Sequence, residues 1–356
     1  MGDQKIYVNG RYLTRCLSGV DRVAEELVYA WASGPVNGNG SRLEILHPNA
    51  EAREAPVPMH KGKLKGLAWE HFELPVRSRS GWLLSFCSTG PLAHSKQVVI
   101  IHDAQPWRNP DAYSKAFRAW YNLLIPQLAR LAKIVVTVSD FARQELEEFN
   151  VVPKGKAQVI HNGSDHIERI VPDPQVLSKH GLVGQGYFLA IGNLSPHKNL
   201  RMLIQAREAI GDDMPPLVIA GGGISRVFSH AGIKETRNVK LLGRVTDQEL
   251  KALYQNAIAF MFPSLNEGFG IPPLEAMRCG CPVLATNAGA VPEVCGDAVI
   301  SLDPYDPAAW SNAMVAVRAQ DERDRLRAVG AETARKYTWD RAARQLQDLM
   351  LSAENN

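Results

Sequence analysis

Two carboxylates eight residues apart, Glu267 and Glu275, lie in the segment AFMFPSLNEGFGIPPLEAMRCGCPVLAT and offer the most specific chemistry in the chain. A buried strand is predicted to end at Pro263, Glu267 stands in the loop that follows, and a helix is predicted from Pro272 or Pro273. Proline fits a first turn because the amide donors there are unpaired anyway. The helix should end near Gly280, with Val283 opening the next strand. Gly268 and Gly270 are expected to leave backbone amides uncovered beside the positive end of the helix, where an anion such as a diphosphate fits. A carboxylate at the C-terminal end of a strand suits sugar hydroxyls, which are neutral donors needing acceptors. A solvated loop tip is the plainer reading of Glu267. Glu275 has an ordinary explanation as a first-turn acid, worth about 0.3–1 kcal/mol against the helix end.

Three other positions invite the same question. In LAIGNLSPHKNLRMLIQA, Lys198 falls at the start of a predicted amphipathic helix, where a cation opposes the dipole unless something negative lies close. A bound phosphate would serve, and an exposed loop lysine is the alternative. His102 follows QVVII at the end of a buried strand, a position open equally to a site residue and to a hydrogen-bonded core histidine. In LTRCLSGVDRVAEEL, Gly19 opens a helix, as a close-approach glycine or as a plain turn residue.

Elements that could hold these residues alternate along the chain. KIYVN, RLEIL, WLLSF, QVVII and KIVVTV read as strands, with a helix from Val20 to Trp31. A second series runs YFLAIG, PLVIAGGG, VKLLG, AIAFMFPS, CPVLAT and DAVISL. The βα alternation predicts an α/β protein of two doubly wound, Rossmann-like parallel-sheet domains, and 356 residues are long enough for both. Prolines and glycines without sustained period place a linker near Asp165 to Gly186. The expected division is 1–168, 169–336, and a C-terminal helix over 337–356 whose apolar stripe, Trp339, Ala342, Ala343, Leu346, Leu349 and Met350, needs a surface to cover. TDQE reads as a capping box that starts a helix with Thr246 and Glu249.

Composition narrows the function classes. A net charge of +3 argues against a nucleic-acid partner, and five scattered cysteines without metal-ligand spacing read as reduced thiols, with no zinc site, in a cytoplasmic protein. The start MGDQKI lacks a signal core and a myristoylation pattern. GGGISRV is not the G-x-G-x-x-G of a dehydrogenase. Basic residues crowd HKGKLKGLAWEHFELPVRSRSGW, at Lys61, Lys63, Lys65, Arg77 and Arg79, among Trp69, Phe72 and Trp82. That suits an anionic membrane surface or a lipid-diphosphate acceptor, and equally an ordinary solvated loop.

The string EGFGIPPLE resembles the Glu, seven residues, Glu mark of family 4 of the retaining glycosyltransferases. The resemblance implies the GT-B arrangement, two domains facing across a cleft, with an N-terminal acceptor-binding domain and a C-terminal nucleotide-sugar domain, the last helix crossing back onto the first. It assigns Glu267, Gly268, Phe269 and Gly270 to the donor sugar, the amides near Ile271 and Lys198 to the diphosphate, and Glu275 to the ribose. Gly243 and Val245 match the base-binding loop, and Gly19 and His102 the positions facing the donor. Asn193 stands where the family carries an Arg on the diphosphate, so one positive charge is missing.

Glu267, His102 and Lys198 are thereby the expected catalytic residues. Retention at the anomeric carbon is implied, with the donor phosphate taking the acceptor proton. No cofactor is implied, and the lack of a D-x-D string agrees with a metal-independent site. RYLTRCLSGVDRVAEEL and WEHFELP look like segments of bacterial polysaccharide mannosyltransferases, so the expected donor is GDP-mannose and the expected acceptor a lipid-linked saccharide at the cytoplasmic membrane face. UDP-glucose or another hexose donor, a nucleotide-sugar epimerase or hydrolase, and a non-catalytic nucleotide-sugar sensor are the other readings.

Overall fold

Short, almost wholly apolar runs such as Val98–Ile100 and Leu217–Ala220 are buried on both faces, the pattern that parallel strands need when helices cover each side. The computed structural model describes residues 5–34, 42–192, 195–222 and 235–355. It contains two sheets, every pairing in both being parallel. The first comprises β1 (Lys5–Asn9), β2 (Arg42–His47), β3 (Met59–Lys61), β4 (Trp82–Ser85), β5 (Gln97–Ile100), β6 (Ile134–Thr137) and β7 (Ala157–Val159), in the order β3-β2-β1-β4-β5-β6-β7. The second comprises β8 (Phe188–Ile191), β9 (Leu217–Ala220), β10 (Val239–Gly243), β11 (Ala259–Phe262), β12 (Val283–Thr286) and β13 (Ile300–Leu302), in the order β10-β9-β8-β11-β12-β13. Strand order therefore reverses between β1 and β4 in one sheet and between β8 and β11 in the other. Open α/β sheets bind ligands outside the carboxyl ends of their strands at such reversals.

Two units contain these sheets, Met1–Gly163 with Thr338–Asn356, and Ser164–Tyr337. The final helix, Trp339–Asn355, belongs to the first and packs on the helix Gly19–Ser33, burying Trp339, Ala342, Ala343, Leu346 and Met350. Gly163 makes room for it, since a Cβ there would lie 2.3 Å from the Trp339 nitrogen.

The stretch expected to be a linker is instead packed onto the second unit. Val176, Leu177 and Leu182 are buried, the Asp173 amide donates to the Gln248 carbonyl, and Lys251 Nζ donates to the carbonyls of Glu168 and Ile170. Its prolines and glycines punctuate short turns, the 3-10 segment Asp165–Arg169 and the helix Gln175–Lys179, whose apolar residues are too few to show a period.

Candidate active site

In the second unit the two charged residues singled out from sequence meet. Lys198 closes a 3-10 turn, Pro196–Lys198, after β8, and Glu267 lies in the loop after β11, so they come from the two strands flanking the reversal. Lys198 Nζ donates to Glu267 Oε1 at 2.5 Å, with both side chains about one-fifth exposed (23% and 18%). The negative neighbour that the lysine needs is thus an acid of the chain itself. The helix proper begins later than expected, at Leu200, after Asn199 with φ +53. Asn199 Nδ2 donates to the carbonyls of Pro263 and Pro304, and the Leu265 amide to the His197 carbonyl, which ties the two loops together.

The helix after Glu267 is Ile271–Arg278, one or two residues earlier than predicted, with Gly270 as its N-cap at φ +95 and no side chain capping it. Of the amides a helix start leaves unpaired, those of Pro272 and Pro273 do not exist, so Gly270 and Ile271 supply the remaining donors. Gly268 is buried and already engaged rather than uncovered. Phe269 is buried edge-on against Tyr337, 5.6 Å between ring centroids. The earlier start also moves Glu275 out of the first turn, so the dipole does not explain it. His166 Nε2 donates to its Oε1 at 2.9 Å and the Tyr254 hydroxyl to its Oε2 at 3.2 Å. Burial, then the Glu275 carboxylate, pushes the Tyr254 phenol well above its ordinary range and keeps it a donor.

Several residues here had not been singled out from sequence. Gly289, φ +68, lies against Glu267, and a Cβ would come 2.7 Å from the Glu267 nitrogen, while the Ala290 amide donates to the Glu267 carbonyl at 3.0 Å. Arg278 binds Ser164 Oγ, Glu168 and the carbonyls of Ala334 and Tyr337, anchoring the helix. An N-A-G-A string after a buried strand was the available signal for Gly289; His166 and Arg278 gave none, because their partners are more than a hundred residues away or are backbone carbonyls. Gly243 ends β10 at φ +70 and its carbonyl accepts from Gly221, at the carboxyl edge of the same sheet, and Val245 is half-buried beyond it. The expected capping box is present, Thr246 and Glu249 starting the helix Asp247–Asn256. Asn193 lies outside the described residues.

Gly19 and His102 belong to the first unit. Gly19 opens the helix Gly19–Ser33, capped by Ser18 in a capping box with Asp21, and a Cβ on Gly19 would meet nothing within 4 Å. Packing of the chain does not require a glycine there. His102 is buried, and its Nε2 donates to the Phe86 carbonyl at 2.6 Å. It lines a cavity of about 360 Å³ at the carboxyl ends of the central strands, with Arg15, Asp21, Ser88 and Asp103. Arg15 Nε pairs with buried Asp21 at 2.6 Å. Beside it, Glu70, fully buried on a π-helical turn, Trp69–Glu73, accepts from Asn9, Arg11 and Thr89 and so fixes the ends of β1 and β4.

Burial pulls the His102 imidazole down to about 4, against a partial offset from the Phe86 bond. The unfolded chain then binds a proton near pH 6.5 that the folded chain refuses until about pH 4, so stability rises with pH across that window and is lost as pH falls through it. His102→Asn should remove a pH-dependent loss of up to about 3 kcal/mol between pH 6.5 and 4, read by urea unfolding at each pH. Equal pH slopes in the two proteins would contradict a neutral His102.

Comparison with known proteins agrees with both units. The model for Glycosyltransferase Family 4 matches residues 76–167 and that for Glycosyl transferases group 1 matches residues 176–336. O-antigen chain mannosyltransferase B of Escherichia coli is 31% identical over 364 aligned residues, 92% of this chain and 94% of that protein. Sucrose-phosphate synthase from Thermosynechococcus elongatus superposes with a TM-score of 0.72 at 16% identity, covering 98% of each chain. Anabaena HepE in complex with UDP-glucose superposes at 0.71 and 16% identity, covering 98% of this chain and 99% of that one. Identity at this level over nearly the whole chain, with family models on both sheets, shows that the chain belongs to glycosyltransferase family 4, is a glycosyltransferase and has the GT-B fold.

Proposed function

We propose that this glycosyltransferase retains configuration while moving mannose from GDP-mannose onto a hydroxyl of a lipid-linked saccharide, in the synthesis of a surface polysaccharide. The observation that carries the donor site is the Lys198–Glu267 pair across the β8/β11 reversal, next to the Gly270 and Ile271 amides. Mannose as the sugar is favoured by the O-antigen chain mannosyltransferase relative.

In the reaction, the bond between the anomeric carbon and the diphosphate oxygen breaks with its electron pair leaving on the phosphate. The acceptor oxygen bonds to the same face of that carbon, and its proton passes to the departing phosphate. Lys198, drawn from Glu267 to the diphosphate, and the two amides take up the developing negative charge. Glu267, released from the lysine, accepts hydrogen bonds from the sugar hydroxyls. His102, its Nε2 proton held on Phe86, keeps Nδ1 as an acceptor in the cavity of the first unit and remains neutral at pH 7. Glu275, already oriented by His166 and Tyr254, takes the ribose hydroxyls, and Gly243 and Val245 border the base. The chemistry needs no divalent metal and no cofactor.

A melting-temperature panel of nucleotide sugars tests the donor. GDP-mannose should raise Tm more than UDP-glucose at equal concentration, and turnover with saccharide acceptor should persist in chelator. A larger shift from UDP-glucose would replace the donor, and rapid epimer or free sugar from donor alone would replace the reaction.

The acceptor side rests on an exposed face in the first unit. Leu67, Phe72 and Val76 are exposed along Gly66–Arg77, and the π-helical turn inside this stretch puts residues five apart on one side. Exposed Lys61, Lys63 and Lys65 border it. No helix among the described residues is long and apolar enough to cross a membrane. Peripheral docking on the anionic cytoplasmic leaflet is the proposed mode, at about 1 kcal/mol per basic residue. Removing the three lysine charges should cut vesicle binding and turnover on lipid-linked acceptor together; unchanged values in both would end the membrane reading.

A further inference from the structure

The cavity at His102 has a second wall that the donor chemistry does not use. Phe117 and Tyr121 are four residues apart on the helix Lys115–Leu131, so their side chains fall on one face, and Tyr113 in the extended segment before it lies against Phe117. Their rings form a column, with 5.2 Å between the centroids of Tyr113 and Phe117 and 4.1 Å between those of Phe117 and Tyr121. Trp107 tilts against Tyr121 at 6.5 Å, and all four rings are only half-buried. The same cavity is lined by the polar groups Arg15, Asp21, His102 and Asp103.

We infer that this aromatic column is the acceptor-recognition wall of the enzyme and that its ligand is a neutral pyranose. A pyranose is itself two-sided, with an apolar C–H face and a rim of hydroxyls, and the cavity sets an apolar wall against hydroxyl-binding groups. Its volume, about 360 Å³, lies within the common range of small-ligand sites. The charge balance excludes a phosphorylated sugar as the preferred ligand. Among the described residues Arg15 is the one cation of the lining, it is paired with buried Asp21, and Asp103 adds a second acid. Aromatic contact of this kind supplies binding without charge and carries sugar specificity through shape. The inference rests on the glycosyltransferase reading and extends it to the acceptor class.

Saturation-transfer NMR on the full chain tests it, using methyl α-pyranosides of mannose, glucose, galactose and N-acetylglucosamine as probes and mannose 6-phosphate as the charged comparison. At least one methyl pyranoside should bind the wild type more tightly than the phosphate does. Phe117→Ala should weaken it about tenfold, and Phe117→Tyr should restore it, with the Kd for the nucleotide sugar within twofold throughout. Binding of the methyl pyranosides untouched by Phe117→Ala, tighter binding of mannose 6-phosphate, or no binding of any methyl pyranoside overturns the inference. Loss of nucleotide-sugar binding in step with the pyranoside overturns it as well, by making Phe117 structural. Failure of the wild type to bind any nucleotide sugar would instead strike the donor proposal, so the two failures are told apart.

Discussion

Lys198→Ala should lower kcat/KM by roughly a hundredfold or more while shifting Tm by no more than about 3 °C. The asymmetry follows from what the lysine does in each setting. As folded, it pairs with Glu267 where both side chains are partly exposed, and such a pair contributes about 0–1 kcal/mol to stability. On a diphosphate the same ammonium makes a charge-assisted bond worth about 1.5–3 kcal/mol, and more as the leaving group gains charge in the transition state. Steady-state kinetics and thermal unfolding of the one variant separate the two effects. A drop in Tm large enough to explain the lost activity would make Lys198 a structural residue.

Glu267→Gln should produce effects of opposite sign on two ligands. The nucleotide sugar is expected to bind about 10–100-fold more weakly, because neutral amide oxygen replaces a carboxylate toward the sugar hydroxyls. The nucleoside diphosphate without its sugar is expected to bind as well as before or several-fold more tightly, because Lys198 no longer has to leave its Glu267 partner to reach the phosphates. Calorimetric titration of both ligands reads this directly, and the double variant with Lys198→Ala should lose the gain on the diphosphate. Parallel weakening of both ligands would mean that Glu267 merely braces the loop against Gly289 and Ala290.

Much of the architecture is written in local patterns. All six strands of the second sheet and five of seven in the first stand out as apolar β-branched runs, because burial on both faces demands such runs. β3 and β7, three residues each at the sheet edges, carry too few apolar positions to register. The stripe on Trp339–Asn355 was equally plain, since one helix face alone is buried. The candidate site was suggested by the sequence where chemistry and punctuation coincide, at Glu267, Gly270 and Lys198. It was not legible where a partner is distant: Glu275 looked like a first-turn acid until the helix start at Ile271 and the contacts to His166 and Tyr254 gave it another task. The prolines and glycines of residues 165–186 misled for a related reason, since they mark tight turns whose packing partners lie some 80 residues on. The cavity wall of Tyr113, Phe117 and Tyr121 escaped notice because aromatic residues at helical spacing ordinarily build core.

In the proposed donor site, two amides and one lysine at the β8/β11 reversal hold the diphosphate. A crystal structure with nucleotide sugar bound tests it most directly. The predicted map places phosphate oxygens within hydrogen-bonding distance of the Gly270 and Ile271 nitrogens, with Lys198 Nζ moved off Glu267 and onto the diphosphate. A diphosphate bound away from these groups, with the Lys198–Glu267 pair still closed, would contradict it.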